Sequence, residues 1–381
     1  MTTGKLKVGI VSANWGAMAH LPAWRTLSDT VEVTSICTSR QETAETAAAQ
    51  FGVARPFWSY EDMCNDPDID IIDAGTNPVL REKIVAAALN GGKHVVNQIP
   101  FATSGEAAKK LNTLRASKGL HGAAAASVMG LPHIALMKKM IENGDIGEVF
   151  QVHCSWQMAF FLQIQPGFPY TWFGKSGLGV SVTRNNGSHM LHALRHLFGP
   201  INSVSAQIKI QLKNWVLPGG EIQPVETDDT GHALLNFASG AMGMLSTSWT
   251  AADSPGFSIE AFGSKGRLKL TSLAYPSIAS AKLYASRNEA PHHVPQGAEI
   301  GVPERFFMAD GRIVALGDED LFNGGQRVSL ARVFESLTRG IKGTGEVLPG
   351  FARAAEVQGL VDALYESDRT KAWVDTAHLA G

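Results

Sequence analysis

Short apolar runs that alternate with helix-forming stretches constrain this chain more than any other feature in it. Residues 6–12 (LKVGIVS), 31–37 (VEVTSIC), 69–74 (IDIIDA), 93–98 (KHVVNQ) and 120–126 read as strands. Helical stretches lie between them, one starting at Ala17 and others over 41–51, 79–90 and 104–117. Ser39 and Glu42 have the spacing of a capping box, Gly52 stands where a helix-ending glycine belongs, and Ser104 opens the last helix. Strands apolar on both faces, each followed by a helix, specify a parallel sheet covered on both sides. The expectation is a doubly wound α/β Rossmann domain over residues 1–125.

Past that point the period changes. A helix over 133–143 leads into segments 148–156, 202–212, 229–238, 241–249, 257–263 and 266–272, which alternate apolar and polar residues. This predicts an α+β domain with an open, mainly antiparallel sheet over residues 126–381. A helix over 187–198 sits near its start. Two closing helices, about 327–340 and 351–367, can pack back on the first domain, and 286–326 reads as a loop or arm. At 381 residues the chain exceeds what one core usually organises, which agrees with two domains.

The net charge of −2, without a run of like charges, argues against a nucleic-acid surface or a polybasic membrane anchor. Three widely spaced cysteines, Cys37, Cys64 and Cys154, make neither a disulfide framework nor a metal cluster, and they fit a reducing compartment. No window reaches the ~18 apolar residues of a membrane span, and the first residues contain no secretory apolar stretch. A cytoplasmic protein with no membrane partner is expected.

The turn after the first strand, Ser12-Ala13-Asn14-Trp15-Gly16-Ala17, is placed to bring backbone N–H groups and a helix start to a pyrophosphate. Against the pattern G-x-G-x-x-G/A it offers Ser12, Asn14 and Ala17, with Gly16 out of phase. Asn14 is expected to supply a positive φ in place of glycine. The second strand ends in Thr38-Ser39-Arg40 rather than in an acid, and a hydroxyl beside a guanidinium suits a 2′-phosphate, which favours NADP over NAD. The competing reading makes Ser39 a helix cap and Arg40 a solvated surface residue.

Further on, FFLQIQPGFPYTWF (160–173) is rich in aromatic residues and precedes the His189 segment. Tyr170 and Trp172 suit stacking on a sugar or ring, the Tyr170 hydroxyl is a candidate acid, and Lys175 and Arg184 suit a substrate carboxylate. A plain hydrophobic cluster is the alternative. His189, His192 and His196 share a helix face, but no Asp or Glu joins them. Their alternation with Leu191, Leu194 and Leu197 reads as an amphipathic helix, so no metal site is expected.

The segments VGIVSANWGAMAHLPAW, DPDIDIIDAGTNP, AALNGGKHVVNQIPFA, MKKMIENGDIGEVFQV, NNGSHMLHALRHLFG, IEAFGSKGRLKL and VQGLVDALYESDRTKAWV together resemble the glucose-fructose oxidoreductase / inositol dehydrogenase (Gfo/Idh/MocA) family. The resemblance covers nearly the whole chain and implies an NAD(P)-dependent enzyme acting on a polyol, sugar derivative or cyclic hydroxyl compound. It implies that Thr76, Asn77, Gln98, Ile99 and Pro100 join the turn and Thr38–Arg40 in holding the cofactor. It also implies a homo-oligomer, dimer or tetramer, formed through the second-domain sheet. The family's usual Glu-Lys-Pro reads Gln98-Ile99-Pro100 here, and its Asp four residues before the histidine reads Asn185. Of the expected Lys/Asp/His set only His189 stands. It remains able to give or take a proton near neutrality, with Asn185 beside it. The fungal galactose-pathway repressors, a similar subgroup, share this loss, bind a dinucleotide and do no hydride chemistry. A non-catalytic sensor is therefore one alternative. A lyase or hydrolase that keeps NAD bound and oxidises its substrate transiently is another.

Overall fold

The computed structural model describes residues 4–168, 170–273, 275–287, 297–309, 312–313 and 326–380. They form two compact units, one of Met1–Gly130 with Phe307–Ala355, the other of Leu131–Phe306 with Glu356–Gly381.

In the first unit, strands β1 (Leu6–Val11), β2 (Val31–Cys37), β3 (Arg55–Phe57), β4 (Ile71–Ala74), β5 (His94–Asn97) and β6 (Gly122–Ala124) pair in parallel in the order β3-β2-β1-β4-β5-β6. Helices α1 (Leu21–Thr26), α2 (Gln41–Phe51), α3 (Tyr60–Asn65), α4 (Pro78–Asn90) and α5 (Gly105–Ser117) alternate with them. Val8, Ile10, Ile71, Ile72, Val95 and Val96 lose all exposure, as strands covered on both faces must. The strand order reverses between β1 and β4, and in such sheets the crevice at the carboxyl ends of those strands takes the ligand. β3 and α3 were not read from the sequence; both are short, and α3 is opened by Ser59, whose side chain accepts the Asp62 amide.

The second unit begins with α6 (Pro132–Glu142), β7 (Val149–Gln157), α7 (Ser188–Phe198) and β8 (Ile201–Lys209). A small hairpin, β9 (Asn214–Val216) with β10 (Ile222–Pro224), lies between the expected strands 202–212 and 229–238, where no element had been read. There follow β11 (Thr230–Phe237), β12 (Met242–Ser248), β13 (Phe257–Gly263), β14 (Gly266–Ser272), β15 (Lys282–Arg287) and β16 (Ala298–Ile300). The stretch 286–326, expected as a loop or arm, thus holds the end of β15, the edge strand β16 and a further short strand pair; its residues 288–296, 310–311 and 314–325 lie outside the described residues. The chain re-enters the first unit with the short pair β17 (Met308–Ala309) and β18 (Arg312–Ile313) and with α8 (Arg327–Ile341). Helix α9 (Phe351–Thr370) follows, and β19 (Val374–Asp375) closes a nine-stranded sheet of order β16-β15-β14-β13-β7-β12-β11-β8-β19. The sheet is antiparallel except where β12 runs parallel to β7. Along β11 buried and exposed residues alternate, so one face is covered and the other open.

Among the described residues no helix is long and apolar enough to cross a membrane.

Candidate active site

The turn after β1 differs from its expected geometry. Among the described residues only Asp253 and Lys371 combine a side chain with a positive φ, so Asn14 does not replace a left-handed glycine. Instead Trp15 is already helical (φ −55, ψ −40) and the Met18 amide donates to the Asn14 carbonyl at 2.8 Å. The chain enters a π-helical turn, Gly16–His20, that runs directly into α1. A wider turn of this kind re-aims the side chains after it and is frequent at functional sites. Here it brings His20 inward, where its Nδ1 lies 2.9 Å from Asp73 of β4, whose other oxygen accepts Trp24 Nε1 at 2.7 Å. Phe334 of α8 stacks on Trp24 at 4.4 Å.

Ser12 Oγ accepts the Asn14 amide at 3.1 Å, and Asn14 is exposed at the tip. Gly16 and Gly75 matter through contact. A Cβ on Gly75 would stand 3.1 Å from the Gly16 Cα, and one on Gly16 would stand 3.0 Å from Ser12 Cβ. The ends of β1 and β4 therefore meet backbone to backbone beside a helix start, a cradle that fits a dinucleotide's pyrophosphate.

At the end of β2, Ser39 and Arg40 are both exposed. The capping expectation for Ser39 is corrected: Arg40 is the residue before α2, with extended backbone and no side-chain cap. Its carbonyl instead accepts the hydroxyls of Thr38 at 3.1 Å and Thr43 at 2.9 Å. Gly52 ends α2 at φ 60, as expected. The hydroxyl and guanidinium thus stand at the strand's carboxyl edge without a structural duty in α2, which suits a ribose phosphate.

Two more loops leave the same edge. After β4, Asn77 caps α4 by accepting the Leu80 amide at 3.0 Å, and Thr76 precedes it. After β5, the Gln98 amide donates to the Ala74 carbonyl at 3.2 Å, and Gln98 Oε1 accepts the Ile99 amide at 2.8 Å. Ile99 is buried, and the Ile99–Pro100 peptide is cis. All the cofactor candidates of this unit therefore lie on loops at the carboxyl ends of β1, β2, β4 and β5. Gly75 was missed, because a contact glycine three residues before a Pro has no pattern of its own.

In the second unit a second π-helical turn, Thr183–Gly187, precedes α7. Asp228, buried ahead of β11, builds it: one carboxylate oxygen accepts the Thr183 amide at 3.0 Å and the other accepts the Tyr365 hydroxyl at 2.5 Å. Ser181 Oγ lies 2.7 Å from that hydroxyl and accepts the Arg184 amide at 3.1 Å. Burial, and then the Asp228 charge, hold the Tyr365 phenol well above its ordinary range. Arg184 lies over the Tyr365 ring at 4.7 Å and faces Asp362 at 3.7 Å, so its charge is already answered within the unit. The backbone amide of Asn185 donates to the Ser181 carbonyl at 2.8 Å. One turn later comes His189, 4% exposed, with its Nδ1 sealed and unpartnered among the described residues. Burial alone lowers its pKa to about 4, so the ring is neutral at pH 7.

Trp156 of β7 presents its ring to His189 at 6.0 Å and to Tyr275 at 5.5 Å. Tyr275 was not found from the sequence, since it sits in an unpatterned loop between β14 and β15. Its phenol is pushed upward by burial and by the neighbouring Tyr170 phenol. Tyr170 itself is pushed up to about 12 by burial, and its hydroxyl is sealed without a partner among the described residues. The aromatic insert, of which Pro169 lies outside the described residues, is in part a packed cluster: Phe161 stacks on Trp215 at 3.9 Å, and Phe173 on Trp249 at 5.6 Å. Trp172 meets Tyr170 at 6.3 Å and is half-buried, whereas Lys175 is exposed, next to the Ser176–Glu226 pair. The unit therefore gathers His189, Trp156, Tyr275 and Tyr170, and leaves Lys175 and Arg184 outside that group.

Two domain profiles match the chain: an oxidoreductase family with an NAD-binding Rossmann fold over residues 6–124, and the GFO/IDH/MocA C-terminal domain over 134–269. Levoglucosan dehydrogenase of Pseudarthrobacter phenanthrenivorans is 24% identical across 98% of this chain and 99% of its own length. The scyllo-inositol 2-dehydrogenase (NADP(+)) of Bacillus subtilis is 25% identical over 61% of this chain and 60% of its own length. Among solved structures, an NAD binding oxidoreductase from Klebsiella pneumoniae superposes with a TM-score of 0.84 at 25% identity, covering 98% of this chain and 100% of its own.

Proposed function

Because the chain belongs to the Gfo/Idh/MocA oxidoreductases, an NAD-binding family, we propose that it moves hydride between a nicotinamide dinucleotide and a hydroxyl-rich substrate: a polyol, a sugar derivative or a cyclic hydroxyl compound. The observation that carries this is the buried, neutral His189, with a sealed and unpartnered Nδ1, set against Trp156 in the group that holds Tyr275 and Tyr170.

The bound nicotinamide supplies the hydride acceptor or donor. What remains for the chain is to seat it, orient the substrate and manage one proton. The cradle of Gly16 and Gly75 receives the pyrophosphate, and Ser39 with Arg40 receives a ribose 2′-phosphate, which makes NADP the preferred dinucleotide. Thr76, Asn77, Gln98, Ile99 and Pro100 form the nicotinamide side. In the second unit the neutral imidazole of His189 takes the substrate hydroxyl's proton during oxidation and returns it during reduction. A carboxylate in place of Asn185 would favour the imidazolium; the amide leaves the ring free to act as a base. The Tyr170 hydroxyl offers a second donor, and the half-buried Trp172 suits the apolar side of a sugar ring. The relatives named above act on levoglucosan and scyllo-inositol by name, which supports this substrate class.

The protein is further proposed to form homo-oligomers through the open sheet face, where Phe150, Leu234, Met242 and Met244 are about half exposed or more. Three buried, unbonded cysteines support a cytoplasmic setting.

The test is a titration with NADP and NAD followed by a panel of polyols, anhydrosugars and cyclic diols, read by nicotinamide absorbance. Turnover with one of these compounds supports the reading. Binding without turnover returns the chain to the sensor alternative, and nicotinamide absorbance already present in the purified protein points to a bound-cofactor lyase.

A further inference from the structure

One buried charge of the first unit has no part in the chemistry above. Arg81, at the close of the first turn of α4, is 2% exposed. Its two terminal amino groups donate to backbone carbonyls, one to Thr76 and one to Pro100, and its Nε has no partner among the described residues. The carboxylate that acts on it, Glu82, is occupied by the Thr103 amide at 2.6 Å. Burial pulls the guanidinium below the ordinary arginine range. A sealed cation that makes no ion pair among the described residues is unfavourable, and an aliphatic side chain would fill the same place on α4 without that cost.

What arginine alone provides at this position is a rigid fork, two donors diverging from one planar group. Its two ends fall on different loops. Thr76 belongs to the loop after β4 and Pro100 to the loop after β5, and these strands are neighbours in parallel register, Ala74 beside Asn97. The loop after β5 has its own internal ties, Asn97 Nδ2 to the Phe101 carbonyl at 2.8 Å and Gln98 Oε1 to the Ile99 amide. Arg81 joins this loop to Thr76. We infer that Arg81 is a positioning residue for the dinucleotide, its fork fixing the spacing between the 75–77 and 98–103 loops so that the nicotinamide half has a single seat. The inference rests on the reading that the first unit seats a dinucleotide. Arg81 touches no reacting atom in this account; it acts through the two carbonyls.

Two variants test it. Arg81→Lys keeps the charge and loses the fork, and Arg81→Met loses both. Each is expected to raise the Kd for NADP or NAD about 10-fold or more. Without cofactor, amide protection in 75–77 and 98–103 is expected to fall in both loops together, while protection in β1 and α2 is unchanged. A purely structural role would lower the denaturation midpoint and leave Kd untouched, which overturns the proposal. So does Arg81→Lys binding within twofold of wild type, and that variant suffices if Arg81→Met does not fold. If wild type itself binds neither dinucleotide, the dinucleotide reading is what fails; wild type binding normally while Arg81→Lys matches it removes only the positioning role.

Discussion

At the scale of single residues, His189 makes the clearest commitments. Its pKa in the fold is about 4, against roughly 6.5 in an unfolded chain, so between those values the unfolded state binds the extra proton. Stability from this group is therefore full above the unfolded value and lost as the pH falls toward 4, by about 3 kcal/mol at most. His94 and His133 are lowered in the same direction by burial and add to the same loss. Denaturation midpoints taken at neutral pH and near pH 4.5 should fall steeply for wild type and less steeply for His189→Gln; equal slopes would contradict the assignment. The rate of alcohol oxidation should likewise show no loss through the ordinary histidine range. Arg40 carries a second prediction. Arg40→Asp removes the fork offered to a 2′-phosphate and should raise the KM for NADP by about 10- to 100-fold while sparing NAD. A variant with an unchanged NADP preference would place the 2′-phosphate elsewhere.

At the scale of elements, a π-helical turn opens a helix in each unit, Gly16–His20 ahead of α1 and Thr183–Gly187 ahead of α7. Neither was visible in the sequence. The periodicity around Ala17 and around 187–198 announced helices, yet the wider turn depends on partners far along the chain, Asp73 for one and Asp228 for the other. The strand-helix alternation, by contrast, was legible because each strand is apolar on both faces, and the boundaries of α4, α5 and α6 fell within one residue of expectation. Asn14 and Ser39 were misjudged for local reasons. A glycine pattern suggested a left-handed turn where the chain is already helical, and a capping pattern was displaced by one residue when two threonine hydroxyls took the Arg40 carbonyl. Two substitutions probe these elements. Gly75→Ala pushes a methyl against the Gly16 backbone and should cost about 1–3 kcal/mol and weaken dinucleotide binding. Asp228→Ala strips the Thr183 amide and the Tyr365 hydroxyl of their acceptor and should cost about 1–3 kcal/mol, with a fall in turnover but little change in cofactor Kd. Calorimetric melting and cofactor titration read both, and an Asp228→Ala protein with wild-type turnover would show that the turn does not place His189.

At the scale of the whole molecule, the open sheet face is the feature that a lone chain leaves unexplained. On β12, Met242 and Met244 are 61% and 53% exposed, and Leu234 of β11, 49% exposed, stands directly opposite Met244. Exposed apolar side chains on neighbouring strands suit the association surface proposed above. Met244→Lys should convert the oligomer to a smaller species in light scattering, and a wild-type protein already monomeric would remove this assignment. The family was legible in the sequence from motifs spread over the length of the chain. The reacting group was legible only in part: Tyr275 lies on a loop without pattern, and the missing lysine and aspartate say what is absent rather than what serves instead. The central claim is that this chain transfers hydride with His189 as its acid and base. It is tested most directly by rapid mixing of the dinucleotide-loaded protein with a substrate found in the panel, following nicotinamide absorbance in wild type and His189→Ala. Wild type should show a transient and the variant a rate at least about 100-fold slower, with unchanged dinucleotide affinity. Equal rates in the two proteins would contradict it.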